Sequence, residues 1–190
     1  LALQRYIDSL WQAEAPGVRG SMVALTPTGE VLALYSAPGY DPNAFVGGIS
    51  TEEWRRLNDD PARPLLDRAI QTRYPPASPF KLATAAMALK RGIATFTTHM
   101  PEPCRGGLQV GNRYFRCWKP EGHGSLDLEG AIAKSCDVYF YQLGLRIGLD
   151  AILSDGVLMG FRERSGTDLE HETAPIYPSN AAQLHRKYSP

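Results

Sequence analysis

The sequence has no excess of charge of either sign. Lysine plus arginine and aspartate plus glutamate each number 20, so the formal net charge is zero. Nucleic-acid surfaces and polybasic membrane-binding segments need an accumulation of positive charge. The balance argues against a nucleic-acid partner, and the charged residues, 21% of the chain, are typical of an ordinary solvated surface.

The sequence also lacks a long apolar run. No window holds the eighteen or more consecutive apolar residues of a membrane span, and no signal peptide is visible. The chain begins at Leu1 rather than at methionine, inside a predicted helix over residues 1–15, which is typical of a fragment. We therefore expect that the absence of a membrane anchor from these residues says little about whether the full-length protein has one.

Cysteine is scarce, and the three present are Cys104, Cys117 and Cys136. An odd number at this density excludes a disulfide scaffold. Three unrelated core thiols remain one interpretation, and one disulfide beside a free thiol is another.

The remaining patterns outline the secondary structure of one sizeable domain. The stretch SMVALTPTGEVLALYS, residues 21–36, predicts a hairpin around a Pro-Thr-Gly-Glu turn. A long irregular connection over residues 37–77 contains one short predicted helix near 50–57, capped by Thr51. Residues 93–125 are predicted to be irregular, and residues 160–190 show little periodicity.

The stretch YPPASPFKLATAAMALKRG, residues 74–92, predicts a buried helix from about Ser78 to Arg91. Pro79 suits the first turn of a helix, and Gly92 suits its end. Ser78 and Lys81 lie three positions apart, so their side chains share one face.

This pair has the chemistry of an activated nucleophile. A serine hydroxyl attacks poorly at neutral pH without a base, and a lysine acts as that base only when neutral, which burial or a nearby cation favours. The positive end of a helix favours negative charge developing on the serine oxygen. An isolated S-x-x-K match is weak evidence, but a long loop, two prolines and a helix start coincide here.

A second candidate lies in AKSCDVYFYQLG, between two predicted helices. Ser135 and Asp137 flank Cys136 and can project toward a common cleft. The alternative is an ordinary helix cap made by Ser135 or Asp137.

Together these segments resemble the transpeptidase domain of class B penicillin-binding proteins. The resemblance runs from about Ala2 to the end of the chain and rests chiefly on two segments. The first is residues 41–92. The second, KPEGHGSLDLEGAIAKSCDVYFYQLG, residues 119–144, is most similar to the penicillin-binding protein 2 group. It implies a D,D-transpeptidase that cross-links peptidoglycan stem peptides in cell-wall elongation and cell shape, and that is a target of β-lactams.

The resemblance also implies the role of each motif residue. Ser78 attacks the penultimate D-alanine carbonyl or a β-lactam ring, and Lys81 acts as its base. Ser135 relays a proton between Lys81 and the leaving group, while Asp137 orients the site. Pro79 stands where such enzymes usually have threonine.

A third motif, lysine-serine/threonine-glycine on a strand, has no match. Arg164-Ser165-Gly166 is close in composition, but it follows Ser135 by about thirty residues and its surroundings lack a strand pattern. We therefore interpret residues 1–190 as a partial transpeptidase domain without this strand. Such a chain lacks the main clamp for the substrate carboxylate and one oxyanion-hole donor.

The cysteines and one histidine have the ligand types of a structural zinc site. Cys104, Cys117, His123 and Cys136 supply three thiolates and one imidazole, a closed tetrahedral set. Their spacing is not that of a zinc finger, and from spacing alone scattered core thiols are favoured. The penicillin-binding protein 2 group, however, carries zinc beside its active site, so the resemblance implies that these four residues bind Zn²⁺ and fix the irregular segment before Ser135.

The resemblance predicts an α+β fold, in which an antiparallel sheet, incomplete at the C-terminus, is flanked by helices with the Ser78 helix at the centre. It further implies an inner-membrane anchor, a periplasmic active site, and a membrane glycosyltransferase of the elongation complex as partner. The alternatives are a β-lactam-sensing or β-lactam-hydrolysing relative and a non-catalytic fragment stabilised by zinc.

Overall fold

The computed structural model describes residues 2–188, without the side chains of residues 187 and 188. The described residues form two compact units. The first contains residues 2–73 and 166–173, and the second contains residues 74–165 and 174–188. The predicted beginning of the first helix at Leu1 lies outside the described residues.

The first unit is built on the predicted hairpin. Its elements are helix α1 (Ala2–Glu14), strands β1 (Gly20–Leu25) and β2 (Val31–Ala37), a 3₁₀ turn (Pro42–Phe45) and helix α2 (Thr51–Asp59). β1 and β2 pair antiparallel, with Met22 opposite Tyr35. The side chain of Gln4 joins α1 to β2 by hydrogen bonds to both backbone groups of Leu34, at 2.8 and 2.9 Å. The hairpin prediction is confirmed.

The predicted cap of α2 is wrong by one residue. Ser50, not Thr51, is the N-cap, because its Oγ accepts the backbone N–H of Glu53 at 3.1 Å. Ser50 has extended backbone angles, as an N-cap requires, whereas Thr51 already belongs to the helix.

The second unit is mainly helical. Its elements are helix α3 (Phe80–Lys90), strands β3 (Gly107–Val110) and β4 (Arg113–Arg116), and helices α4 (Leu128–Ala133), α5 (Asp137–Ile147), α6 (Leu149–Leu158) and α7 (Ala181–Tyr188). Helix α3 packs against α4, α5 and α6. The largest fully buried side chains of this unit are those of Met87, Leu128, Cys136, Val138 and Leu143.

Some elements of the second unit differ from the prediction. Regular α-helix begins at Phe80, because Ser78 and Pro79 form the preceding turn. Residues 93–125 are not wholly irregular: β3 and β4 form a hairpin across Gly111-Asn112, a dipeptide typical of two-residue turns. Four-residue strands with exposed arginines show too little alternation to be recognised without that turn. Helices α6 and α7 were also missed.

The α+β fold class is confirmed. The strand pairing is antiparallel in both units, and the described residues form two separate two-stranded sheets rather than one. No helix among residues 2–188 is long and apolar enough to cross a membrane.

Candidate active site and metal centre

Ser78 lies on a tight turn that leads into α3. Ala77 precedes it with φ of 50°, a left-handed conformation that is uncommon for a residue with a Cβ. The carbonyl of Ser78 accepts the backbone N–H of Lys81 at 3.0 Å, which starts the helical bonding pattern. The turn leaves Ser78 exposed, while Lys81 lies within the first turn of the helix with its side chain only 15% exposed.

Ser135 lies on a second tight turn, between α4 and α5. Its φ is 49°, again left-handed, and the following residue, Cys136, closes the turn by a hydrogen bond from its N–H to the carbonyl of Ala131 at 2.9 Å. Asp137 then begins α5. The break predicted between the two helices is therefore a sharp turn that points Ser135 and Asp137 toward α3.

The structure brings all four predicted catalytic residues together. Lys81 Nζ donates to Asp137 Oδ1 at 2.6 Å, to Ser135 Oγ at 2.9 Å and to the carbonyl of Ser135 at 2.8 Å. Lys81 Nζ lies 3.4 Å from Ser78 Oγ, and Ser135 Oγ donates to Ser78 Oγ at 3.0 Å. The ring of Phe140 lies 5.9 Å from Nζ. The two serine hydroxyls, the amine and the carboxylate form one continuous network.

Trp118, which was not among the residues predicted from the sequence, also reaches this network. Its backbone N–H donates to Asp137 Oδ2 at 3.0 Å. Its indole N–H lies 3.1 Å from the carbonyls of both Lys134 and Ser135. The only signal in the sequence is its position directly after Cys117, a candidate metal ligand.

The four predicted metal ligands converge in the second unit. Cys104 forms a two-bond backbone bridge with Gly124, the N–H of Cys117 donates to the carbonyl of Gly106 at 2.8 Å, and Cys136 lies on the Ser135 turn. One ligand atom from each of Cys104, Cys117, His123 and Cys136 lies within 4.8 Å of the others. The cluster therefore connects the segment before α4 to the turn that carries Ser135.

The geometry fits a tetrahedral zinc ion. Zn–S bonds of about 2.3 Å and Zn–N bonds of about 2.0–2.1 Å place a sulfur and a nitrogen about 3.6 Å apart in a tetrahedron. His123 Nδ1 lies 3.6 Å from the sulfurs of both Cys104 and Cys117. The three thiols are buried and none forms a disulfide, so the predicted alternative of a disulfide with one free thiol is not observed.

The electrostatics of the cluster differ from ligand to ligand. Burial, reinforced by the neighbouring thiols of Cys104 and Cys117, raises the pKa of Cys136 to about 12. Burial also opposes ionisation of Cys104, but the backbone amides of Gly106 and His123 and the adjacent thiols lower its pKa below the usual value. Burial, with the nearby lysines, lowers the pKa of His123 and so favours the neutral imidazole that binds metals. A divalent cation at this position would favour the thiolates.

Two glycines let the backbone approach the cluster closely. A Cβ on Gly122 would lie 2.1 Å from the carbonyl oxygen of Cys104, and a Cβ on Gly106 would lie 1.9 Å from that of Pro120. Both have positive φ, at 82° and 92°. These positions therefore require glycine both for space and for backbone conformation.

The fold and the converging motifs agree with comparisons to known proteins. The family model described as the penicillin binding protein transpeptidase domain matches residues 20–187. The chain belongs to the penicillin-binding protein transpeptidase family. The prediction of a class B transpeptidase domain of the penicillin-binding protein 2 type is confirmed by the relatives that follow.

Three relatives illustrate the similarity. The peptidoglycan D,D-transpeptidase MrdA of Haemophilus influenzae is 40% identical over 191 residues, covering 100% of this chain and 29% of its own length. PBP2 of Helicobacter pylori, solved in complex with MreC, superimposes with a TM-score of 0.88 at 35% identity, covering 100% and 34% of the two chains. Penicillin-binding protein A of M. tuberculosis, solved as a penicillin G acyl-enzyme, gives a TM-score of 0.74 at 32% identity, covering 93% and 42%. The chain thus spans about three tenths of the curated transpeptidase.

The third motif of the penicillin-binding protein family has no counterpart in these residues. The 190 residues contain no lysine-serine/threonine-glycine triplet. Residues 164–166, the Arg-Ser-Gly sequence rejected above, lie in a segment without strand structure. Their conformation agrees with that rejection.

Proposed function

We propose that the chain carries the acyl-transfer centre of a peptidoglycan D,D-transpeptidase that acts in cell-wall elongation and cell shape and is a target of β-lactams. One observation supports this above all. Ser78 and Lys81 meet Ser135 and Asp137, which lie 54 to 59 positions away in the sequence, in one hydrogen-bonded network. Family membership supports the same reaction class.

The first step is attack by Ser78. Its Oγ forms a bond to the carbonyl carbon of the penultimate D-alanine of a stem peptide, while its proton passes to Lys81 directly or through the hydroxyl of Ser135. Hydroxyl hydrogens rotate freely, so the 3.0 Å contact between the two serines can carry a proton in either direction. Lys81 serves as the base in its neutral form.

The second half of the step releases the terminal D-alanine. As the carbon–nitrogen bond breaks, the departing amine takes up the proton, which Ser135 delivers from Lys81. Asp137 holds Nζ at 2.6 Å and so orients the amine toward both hydroxyls. The product is a Ser78 ester of the shortened stem peptide.

The ester is then consumed by a second stem peptide. Its side-chain amine loses a proton to the same Lys81–Ser135 pair, attacks the ester carbonyl and displaces Ser78, which recovers its proton. A β-lactam follows only the first half: Ser78 opens the ring, and the resulting ester persists because the ring-opened leaving group stays attached.

We propose that Cys104, Cys117, His123 and Cys136 hold one zinc ion. The ion supplies a structural cross-link rather than a reaction centre, because three thiolates and one imidazole fill a tetrahedral site. The chemistry of these four donors, their burial and the 3.6 Å nitrogen–sulfur separations support this assignment. The cross-link fixes the segment before α4 against the Ser135 turn.

The cellular setting is proposed from the relatives. Stem peptides ending in D-Ala-D-Ala and β-lactams are the expected ligands, and a membrane glycosyltransferase of the elongation complex is the expected macromolecular partner. One structural neighbour is a peptidoglycan synthase complex that coordinates polymerization and crosslinking, and another is PBP2 bound to MreC. We place the active site on the periplasmic side of the bacterial inner membrane.

Intact mass spectrometry after incubation with benzylpenicillin tests the proposed reaction. We expect the full chain to gain the mass of one penicillin molecule. Ser78→Ala should abolish the adduct, since it removes the attacking oxygen. Ser9→Ala, which alters an exposed serine on α1, should keep it.

The same experiment separates the alternatives. An adduct that survives removal of free penicillin supports a transpeptidase, whereas rapid loss of the adduct to water indicates a β-lactam-hydrolysing relative. A chain that binds one metal ion and never forms an adduct is a non-catalytic fragment, and this result would overturn the proposal.

A further inference from the structure

Trp118 contacts the active-site network without being buried. The residue is 63% exposed, and its ring meets the ring of His123 edge-on, with the centroids 5.2 Å apart. Its fixed contacts are hydrogen bonds: the backbone N–H binds Asp137 Oδ2, and the indole N–H binds the carbonyls of Lys134 and Ser135. A residue held in this way stabilises the fold little by burial but can set the position of what it binds.

The carbonyl of Ser135 is the point at which these contacts meet. It accepts the indole N–H of Trp118 at 3.1 Å and the amine of Lys81 at 2.8 Å. The Ser135 backbone is left-handed, with φ of 49°, a conformation that surrounding contacts must maintain. The orientation of this peptide sets where the Ser135 hydroxyl lies between Ser78 and Lys81.

The predicted metal ligands are neighbours in the sequence of both partners in this contact, Trp118 and the Ser135 turn. Trp118 directly follows Cys117, while Ser135 and Asp137 lie on either side of Cys136. The clustering of Cys117 with Cys136 therefore brings the Trp118 backbone next to the Ser135 turn. The indole and backbone N–H groups then join the two segments.

We propose that Trp118 is a positioning residue for acylation of Ser78. Its indole N–H holds the Ser135 peptide so that the Ser135 hydroxyl spans Ser78 and Lys81, and its backbone N–H holds Asp137. This inference rests on the proposed acyl-transfer function and adds to it a residue outside the three motifs.

Trp118→Phe tests the inference, because it removes the indole N–H and keeps an aromatic ring and the backbone N–H. The readout is the kinetics of benzylpenicillin acylation in the full chain, resolved into the dissociation constant of the non-covalent complex and the first-order acylation rate constant. We expect the rate constant to fall about tenfold, as for loss of one hydrogen bond that positions the Ser135 hydroxyl, while the dissociation constant stays within about twofold.

Trp54→Phe is the matched control. Trp54 is also exposed, at 45%, and lies on α2 in the first unit. This variant should acylate like the wild type. Metal content, measured on both variants, should also stay at the wild-type value, since neither change removes a ligand.

A second substitution separates positioning from packing. The sulfur analogue of tryptophan, 3-benzothienylalanine, at position 118 keeps the shape of the ring and lacks the N–H donor. If positioning is correct, this analogue acylates as slowly as Trp118→Phe. If the analogue restores the wild-type rate, the ring acts by packing alone, and the inference is overturned.

The remaining outcomes are also decisive. The inference is overturned if Trp118→Phe acylates at the wild-type rate, or if it acylates more slowly and also loses the metal. In both cases the proposed function stands, provided that the wild type still forms its Ser78 adduct. Absence of the adduct in the wild type overturns both.

Discussion

At the scale of single residues, the amine of Lys81 has more acceptors around it than protons to donate. The neutral amine that acts as the base carries two protons and the ammonium form carries three, yet four acceptor atoms lie within 3.4 Å: one on Asp137, two on Ser135 and one on Ser78. Ser78 is the most distant, and Ser135 Oγ lies closer to it, at 3.0 Å. We infer that the proton of Ser78 reaches Lys81 through Ser135, because the two steps of that path, 3.0 and 2.9 Å, are each shorter than the direct separation of 3.4 Å.

Lys81→Met should slow acylation strongly while leaving the fold in place. Methionine has an unbranched side chain of similar length, but it provides no base. General-base catalysis contributes typically about 10²–10⁴-fold, so we expect benzylpenicillin acylation to slow by at least about 100-fold. Stopped-flow or quenched-flow mass spectrometry measures the rate.

Lys90→Met is the control, because Lys90 is an exposed lysine in the last turn of the same helix. It should acylate at the wild-type rate. Acylation of Lys81→Met within a few-fold of the wild type would show that another group accepts the proton of Ser78.

At the scale of elements, the metal-binding loops depend on backbone that only glycine can supply. The turn that carries His123 approaches Cys104 so closely that a Cβ on Gly122 would lie 2.1 Å from the Cys104 carbonyl oxygen. The hydrogen bonds between Cys104 and Gly124, at 2.9 and 3.0 Å, depend on the same approach. The position of His123 relative to the thiols is thus set by glycine rather than by hydrophobic packing.

Gly122→Ala should weaken metal binding and stability together. The new methyl group forces the two segments apart, and the positive φ adds a penalty of about 1–2 kcal/mol for a residue with a Cβ. We expect a lower melting temperature and loss of zinc to a competing chelator at lower chelator concentration than for the wild type.

Gly111→Ala separates the two contributions. Gly111 also has positive φ, at 58°, but a Cβ there would meet nothing within 4 Å. This variant should show the conformational penalty without any change in metal binding. Equal metal affinity in the Gly122→Ala protein would contradict the importance of this close approach.

Helix α2 offers a test of an element in the first unit. Ser50→Ala removes the side-chain acceptor of the Glu53 N–H and should destabilise the protein by about 1 kcal/mol. Thr51→Ala, at the residue first predicted as the cap, should change stability by less than half as much. Urea denaturation followed by circular dichroism compares the two, and the reverse order would restore Thr51 as the cap.

At the scale of the whole molecule, the local parts of the structure were predictable and the long-range parts were not. The hairpin of β1 and β2 and the body of α3 follow from alternation, a proline–glycine turn and apolar spacing within a few residues. The start of α3 was placed two residues early, because Ser78 and Pro79 are compatible with either a helix or the turn before it.

The candidate site was predicted as a set of residues and not as a geometry. Spacing placed Ser78 and Lys81 on one face, and family resemblance supplied Ser135, Asp137 and the four metal ligands. The hydrogen bonds of Trp118 to Ser135 and Asp137 join residues 17 and 19 positions apart, and nothing periodic marks them. Such contacts depend on two turns and a hairpin folding together.

The metal ligands lie in the second unit alone, so removal of the metal should affect the two units differently. The segment from Cys104 to His123 has two four-residue strands and short turns, and we expect the ion to be its main cross-link to Cys136. Hydrogen exchange followed by mass spectrometry, with and without a chelator, measures local opening.

We expect metal removal to increase exchange across residues 104–136 while the hairpin of β1 and β2 in the first unit keeps its protection. A Cys136→Ser variant should reproduce the chelated pattern without chelator, because it removes a ligand that lies between Ser135 and Asp137. Faster exchange on the Ser135 turn would then accompany slower acylation of Ser78. Unchanged exchange in residues 104–136 would contradict a structural role for the metal. An equal increase in both units would show that the ion stabilises the whole molecule rather than the turns around the active site.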